Sequence, residues 1–306
     1  MMFADFLPPS VTKLRDSTCI AVAQNLKRQS IATPLSKQPI ATSYIHQGKG
    51  GTPILLLHGF DSSLLEFFRL IPLLAAQNET WAVDLLGFGF TERVMGTPYS
   101  PMAIKRHLYS FWKTLINQPV ILVGASMGGA TAIDFTLTYP NCVKQLVLIN
   151  SVGYSGSFPI GQFLFPPIDF FAMEWWRFLK LQTLANAKAD RDQNAAYLDA
   201  LLCTILPLEM PGWYESILTF TKTGGYSLTE EKIARIDKPT LILWGELDAF
   251  LAKGDAEKFN KAIAHSILHK IKGCGHAPQF EQPEVIAQHI LAFGGADQSS
   301  GSPRLP

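Results

Sequence analysis

The chain has 306 residues, enough for one large α/β domain or two small ones. Its 26 basic and 25 acidic residues nearly cancel, so there is no general cationic field to hold a polyanion, and a nucleic-acid partner is not expected. A hydrophobic fraction of 47% against 17% charged residues, with a mean hydropathy of +0.14, is apolar for a globular chain and points to apolar surface beyond an ordinary core.

Lys13, Arg15, Asp16, Lys27 and Arg28 interrupt the N-terminal region, so no secretory signal is expected there. No run of about 18 uninterrupted apolar residues occurs, so a transmembrane helix is not expected either. Ser10 to Gln29 reads as one helix, with Ser10 as N-cap after Pro8-Pro9 and no internal glycine or proline. Thr33-Pro34 and Gln38-Pro39 mark a connector that closes this N-terminal part at residue 39.

From about Ile40, short β-rich runs alternate with segments of helical character, the signature of a mainly parallel sheet flanked by helices. The buried strands predicted are Ile54-Leu55-Leu56-Leu57, Thr80-Trp81-Ala82-Val83, Val120-Ile121-Leu122-Val123, Leu146-Val147-Leu148-Ile149, Thr240-Leu241-Ile242-Leu243-Trp244 and Ile267 to Ile271.

Between Ile149 and Thr240 the rhythm stops for roughly ninety residues, too long for an ordinary connection. The pattern predicts a helical cap inserted at 153–235, splitting an α/β core into 40–152 and 236–295. The cap opens with an aromatic stretch containing Phe158, Phe163, Phe165, Phe170, Phe171, Trp175, Trp176 and Phe178. The end of the chain, 296–306, is rich in Ser, Gly and Pro and is expected to be disordered. Cys19, Cys142, Cys203 and Cys274 lie too far apart for a zinc or redox motif and read as reduced structural thiols.

Directly after the 120–123 strand stands Gly124-Ala125-Ser126-Met127-Gly128-Gly129, followed by a helix. This is G-x-S-x-G in a strand-turn-helix setting, where the glycines allow a sharp turn that exposes the serine Oγ. The Met127 N–H, at the helix start, would face a developing oxyanion. His58-Gly59-Phe60-Asp61 follows the 54–57 strand, and the Phe60 N–H is the candidate second donor, with His58 as a supporting residue.

Trp244-Gly245-Glu246-Leu247-Asp248 offers two carboxylates at a strand's C-terminal end, where ligands bind in such sheets. Gly273-Cys274-Gly275-His276-Ala277-Pro278 places a histidine on a flexible loop able to reach the serine. Asp84, in Asp84-Leu85-Leu86-Gly87-Phe88-Gly89, reads as loop-shaping, and Glu281 as a helix-start residue.

These residues resemble the α/β-hydrolase superfamily over about 40–295, whose triad order is serine, acid, histidine. The family position favours Asp248 over Glu246 as the acid, giving Ser126, Asp248 and His276, a relay that requires no metal or organic cofactor.

Within the superfamily the segments 58–63, 80–89, 105–109 and 132–135 are most similar to chlorophyll dephytylases. That resemblance implies a thylakoid-membrane setting and a chlorophyll ester substrate, split to chlorophyllide and phytol. Phe163, Phe170, Phe171, Trp175 and Trp176 are then expected to bind the substrate or rest on a bilayer, the alternative being that they pack the cap onto the core. Other readings are a lipase, esterase or carbon–carbon bond hydrolase of the same fold, and a membrane-associated pigment-binding protein without catalysis.

Overall fold

Short runs of Val, Ile and Leu, buried on both faces, build a parallel sheet whose edges are closed by half-polar strands. The structure is a computed structural model that describes residues 2–159, 161–190 and 193–295. The strands are β1 (Lys27–Ile31), β2 (Ile40–Gln47), β3 (Ile54–Leu57), β4 (Thr80–Val83), β5 (Val120–Ala125), β6 (Val143–Ile149), β7 (Thr240–Gly245) and β8 (Ser266–Ile271). Among the described residues they form one sheet in the order β1-β2-β4-β3-β5-β6-β7-β8. β1 and β2 run antiparallel to their neighbours, and all other pairs are parallel.

The chain passes from β3 outward to β4 and then returns to the other side of β3 as β5, so the strand order reverses there. Such a reversal opens a crevice at the strands' C-terminal ends. Leu57 pairs with both Val83 and Gly124, which brings the loops after β3, β4 and β5 to one level at that crevice.

The helices are α1 (Ser17–Gln24), α2 (Leu70–Ala75), α3 (Pro101–Leu115), α4 (Met127–Thr138), α5 (Ile168–Ala189), α6 (Ala195–Ile205), α7 (Trp213–Lys222), α8 (Glu230–Ile233), α9 (Asp255–Ala262), α10 (Pro278–Glu281) and α11 (Pro283–Gly295). α3 packs on α4, and α2 on α11, against the sheet. α5, α6 and α7 lie between β6 and β7 in sequence and form the cap.

The N-terminal segment differs from the single helix expected over 10–29. A 3₁₀ turn at Pro9–Lys13 ends at Leu14, and α1 begins only at Ser17, its N-cap being Asp16, whose carboxylate accepts the Cys19 N–H. Lys27–Ile31 leaves the helix altogether to pair antiparallel with β2, a tertiary ladder that outweighs local helical preference. This segment is also tied to the cap. Asp199 of α6 accepts the Arg15 and Asp16 N–H groups at 2.7 Å each, and the buried Cys19 and Cys203 thiols meet at 3.5 Å. All four cysteines are free and buried.

α5 is the least covered element. Of its residues Asp169, Met173 and Leu184 are buried, whereas Phe171 is 65% and Trp175 61% exposed, with Phe170 and Phe178 half exposed beside them. Among the described residues no helix is long and apolar enough to cross a membrane. Residues 296–306, expected to be disordered, lie outside the described residues.

His107 of α3 is buried against β2, its Nε2 2.8 Å from the Thr42 Oγ1. Burial pushes it down from 6.5 to about 4, so it is neutral at pH 7. Between those values the unfolded chain binds a proton that the folded chain refuses, and stability therefore falls as the pH drops from 6.5 toward 4. Over that window His107→Gln should lose less stability than the wild type, by at most about 3 kcal/mol. Chemical denaturation of both at several pH values checks this; identical slopes would show that His107 does not set it.

Candidate active site

Ser126 joins β5 to α4 at φ 52° and ψ −118°, in the left-handed region that a non-glycine residue rarely occupies. Its neighbours explain why the strain persists. A Cβ on Gly128 would lie 2.0 Å from the Leu57 carbonyl oxygen, and one on Gly124 2.3 Å from that of Gly128. Only glycine lets the first turn of α4 sit directly on the end of β3. The Ser126 N–H donates to the Ile149 O at 3.0 Å, and its carbonyl accepts from Gly129 and Val152, fixing the turn from both sides.

His276 reaches this serine from the loop after β8. Its Nε2 lies 3.1 Å from the Ser126 Oγ, and its Nδ1 2.9 Å from the Asp248 Oδ2. Asp248 Oδ1 accepts the Phe250 and Leu251 N–H groups. Burial alone would raise the Asp248 carboxyl, but hydrogen bonds from Asn150 and His276 outweigh it and hold it below the usual carboxylate range. An ionised Asp248 keeps the proton on Nδ1 and leaves Nε2 to accept from the serine hydroxyl. Glu246 is exposed, and Asp248 is the carboxylate bonded to His276.

The histidine loop has its own brace. Glu281, expected to start a helix, is the last residue of α10, and its carboxylate accepts the Gly275 N–H at 2.7 Å and the Ala277 N–H at 3.1 Å.

Phe60 and Met127 bring their main chains to the same end of the sheet. Met127 opens α4, where N–H groups precede any intrahelical acceptor. The loop after β3 passes so close that a Cβ on Gly59 would lie 3.4 Å from the Ser126 Cβ. Buried His58 shapes that loop: burial lowers its basicity, and its neutral ring sits 2.7 Å from the Gly59 O through Nδ1 while Nε2 accepts the Leu85 N–H. Asp84 likewise shapes the next loop, accepting from the Ser43 hydroxyl and the Leu64 and Phe90 N–H groups.

Two supporting residues escaped sequence reasoning. Asn150, at φ 39°, donates from Nδ2 to Asp248 Oδ2 at 2.5 Å and accepts the Gly245 N–H at 3.0 Å. Glu66 accepts the Gly59 N–H at 3.0 Å, and burial pushes its carboxyl up to about 7. A polar residue just past a buried strand was the one available signal for Asn150; nothing in the sequence marked Glu66.

A cavity of about 150 Å³ stands over Ser126 and His276, walled by Phe60, Met127, Val152, Phe158, Phe220, Tyr226, Phe250 and Leu251. None of Phe163, Phe170, Phe171, Trp175 and Trp176 lines it. Phe163, Phe170, Phe171 and Trp175 face outward on the cap, and Trp176 instead packs behind the Phe60 ring, 6.2 Å away between centroids. In a run this rich in aromatics, composition does not say which side of the helix meets the core.

The alpha/beta hydrolase family model matches residues 54–289. The chain is 34% identical over 300 residues to the alpha/beta hydrolase domain-containing protein VTE7 of Arabidopsis thaliana, covering 95% of this chain and 90% of that protein. It is 30% identical over 261 residues to the 2-hydroxy-6-oxo-6-(2'-aminophenyl)hexa-2,4-dienoic acid hydrolase of Metapseudomonas resinovorans, covering 83% and 87%. Among solved structures, a serine hydrolase involved in carbazole degradation superposes with a TM-score of 0.68 at 25% identity, over 88% of this chain and 98% of that one. A bacterial membrane phospholipase A shares the fold with a TM-score of 0.71 at 22% identity, over 90% and 88%.

A serine held in this way should react with a fluorophosphonate at Ser126, and Ser126→Ala should abolish the labelling. Asn150→Ala should slow it roughly tenfold, because Asp248 loses a charge-assisted hydrogen bond. Labelling rates followed by mass spectrometry decide; an unchanged rate in Asn150→Ala would reduce that residue to loop packing.

Proposed function

Because the chain belongs to the alpha/beta hydrolase family, we propose that it is a serine hydrolase of carboxylic esters, with the phytyl ester of chlorophyll as substrate. The observation that carries this reading is the hydrogen-bonded chain Ser126–His276–Asp248 at the foot of an aromatic cavity. His276 takes the Ser126 proton as Oγ attacks the ester carbonyl, and the Phe60 and Met127 N–H groups receive the oxyanion. The imidazolium returns the proton to the leaving alcohol, and water, activated by the same histidine, frees the acid from the acyl-enzyme. Chlorophyll and water would give chlorophyllide and phytol.

The cavity of about 150 Å³ holds the ester group and a few adjoining carbons. The bulk of so large a substrate then lies outside, past Phe250 at the rim, and its natural medium is a membrane. The outer face of α5 supports that setting. Phe170, Phe171, Trp175 and Phe178 stand in solvent together, at a cost of about 25 cal/mol per Å² of apolar surface, and a bilayer interface would cover them. Membrane contact in this reading is peripheral, and the thylakoid setting is part of the same proposal.

The dienoic acid hydrolase among the relatives favours a second reading, carbon–carbon bond hydrolysis. The cavity lining argues for the ester. Among the described residues it contains no lysine or arginine, so a dienoate carboxylate placed there would be desolvated without a counter-charge.

Purified protein and its Ser126→Ala variant, incubated with chlorophyll in detergent and analysed by chromatography, test the substrate. Chlorophyllide from the wild type alone is expected. Cleavage of short p-nitrophenyl esters without chlorophyllide would keep the serine hydrolase and discard the pigment, and a stable pigment complex without product would indicate a binding protein. Replacing Phe170 and Phe171 by serine should weaken liposome sedimentation severalfold while leaving short-ester hydrolysis near the wild-type rate; undiminished sedimentation would remove α5 from the membrane.

A further inference from the structure

Phe60 and Asp61, consecutive residues of the loop after β3, are gripped mainly by the cap. Around the Phe60 ring stand Phe158 at 4.6 Å, Phe220 at 5.9 Å and Trp176 at 6.2 Å, all from the cap, and Phe88 at 5.9 Å from the core. Asp61 is 2% exposed and holds φ 47°. Its Oδ2 accepts the Trp176 indole N–H and the Lys180 ammonium at 2.7 Å each, its Oδ1 accepts the Trp213 indole N–H at 2.7 Å, and its carbonyl accepts Lys180 again at 2.6 Å. Trp176 and Lys180 lie one turn apart on α5, and Trp213 opens α7.

A buried carboxylate with three side-chain donors is strongly held, and each lost donor leaves charge unmet. We propose that Asp61 is a positioning residue that makes the cap a working part of the oxyanion hole. With α5 and α7 seated, the strained Asp61 backbone fixes the preceding Phe60 N–H beside Ser126. With the cap lifted, Asp61 loses all three side-chain donors and Phe60 three of the ring neighbours named above, and the N–H is no longer aimed. Cap seating and oxyanion-hole assembly are therefore one event, and substrate enters past the rim at Phe250 with the cap in place. This rests on the reading of Ser126 as the nucleophile attacking an ester, and not on the identity of that ester.

The test uses p-nitrophenyl butyrate, with kcat, KM, inhibition by phenylboronic acid and thermal midpoint measured for Trp176→Phe, Lys180→Met, their double variant and Asp61→Asn. Assays run well below each midpoint. Trp176→Phe and Lys180→Met should each lower kcat severalfold. The double variant and Asp61→Asn should each lower it by roughly 10- to 100-fold, part of what a lost oxyanion donor costs. KM should stay within about twofold, and boronate affinity should fall in step with kcat/KM, because the boronate adduct copies the tetrahedral state that Phe60 N–H stabilises. A double variant with wild-type kcat, or one in which KM alone rises, overturns the proposal, and that variant decides even if Asp61→Asn does not fold. A wild type that cleaves no ester and labels no faster than Ser126→Ala sinks the hydrolase reading itself, a separable result.

Discussion

Everything at the site depends on one backbone-to-backbone contact, the first turn of α4 resting on the end of β3. Gly128 sits where a Cβ would come within 2.0 Å of the Leu57 carbonyl, so the two elements approach as closely as main chains can. The register that aligns Leu57 with Gly124 then starts the Phe60 loop at the level of Ser126. His276 and Asp248 arrive from β8 and β7 at the same end of the sheet, which supplies the remaining alignment. A tight core contact, rather than a flexible loop, aims the serine.

The buried polar groups around this contact divide into those held neutral and those held charged. His58 is kept from protonating by burial, which suits a ring that must accept one N–H and hold the Gly59 carbonyl. Asp248 is kept ionised against the same desolvation because Asn150, His276 and two main-chain N–H groups converge on it. Glu66, pushed up to about 7, lies between these extremes on the loop that carries Phe60. The site's electrostatics thus follow from the balance at each group between burial and the hydrogen bonds donated to it.

Features demanded by the backbone were legible in the sequence. The G-x-S-x-G turn, the strands and the ninety-residue gap mark the hydrolase fold in the sequence, although Ile267 to Ile271, expected to be buried, forms a half-exposed edge strand. Long-range features were not. Asn150 meets Asp248 across 98 residues and Asp61 meets Trp176 across 115, and no local pattern encodes such partners. The same limit explains why Lys27–Ile31 read as helix, since only its pairing with β2 makes it a strand. It also explains the aromatic stretch of the cap, whose rings were expected at the substrate and stand mostly on the outer face.

The N-terminal segment gives the cap a second attachment. Asp199 receives two main-chain N–H groups from Arg15 and Asp16, and Cys19 touches Cys203, so α6 is pinned to the chain's beginning while α5 and α7 are pinned at Asp61. Ser216 of α7 adds a third hold, donating to the Gly87 O at 2.8 Å and accepting the Arg93 Nε–H at 2.9 Å. Fastened at three separate places, the cap presents its outer aromatic face to any surface as part of the same unit that carries Ser126.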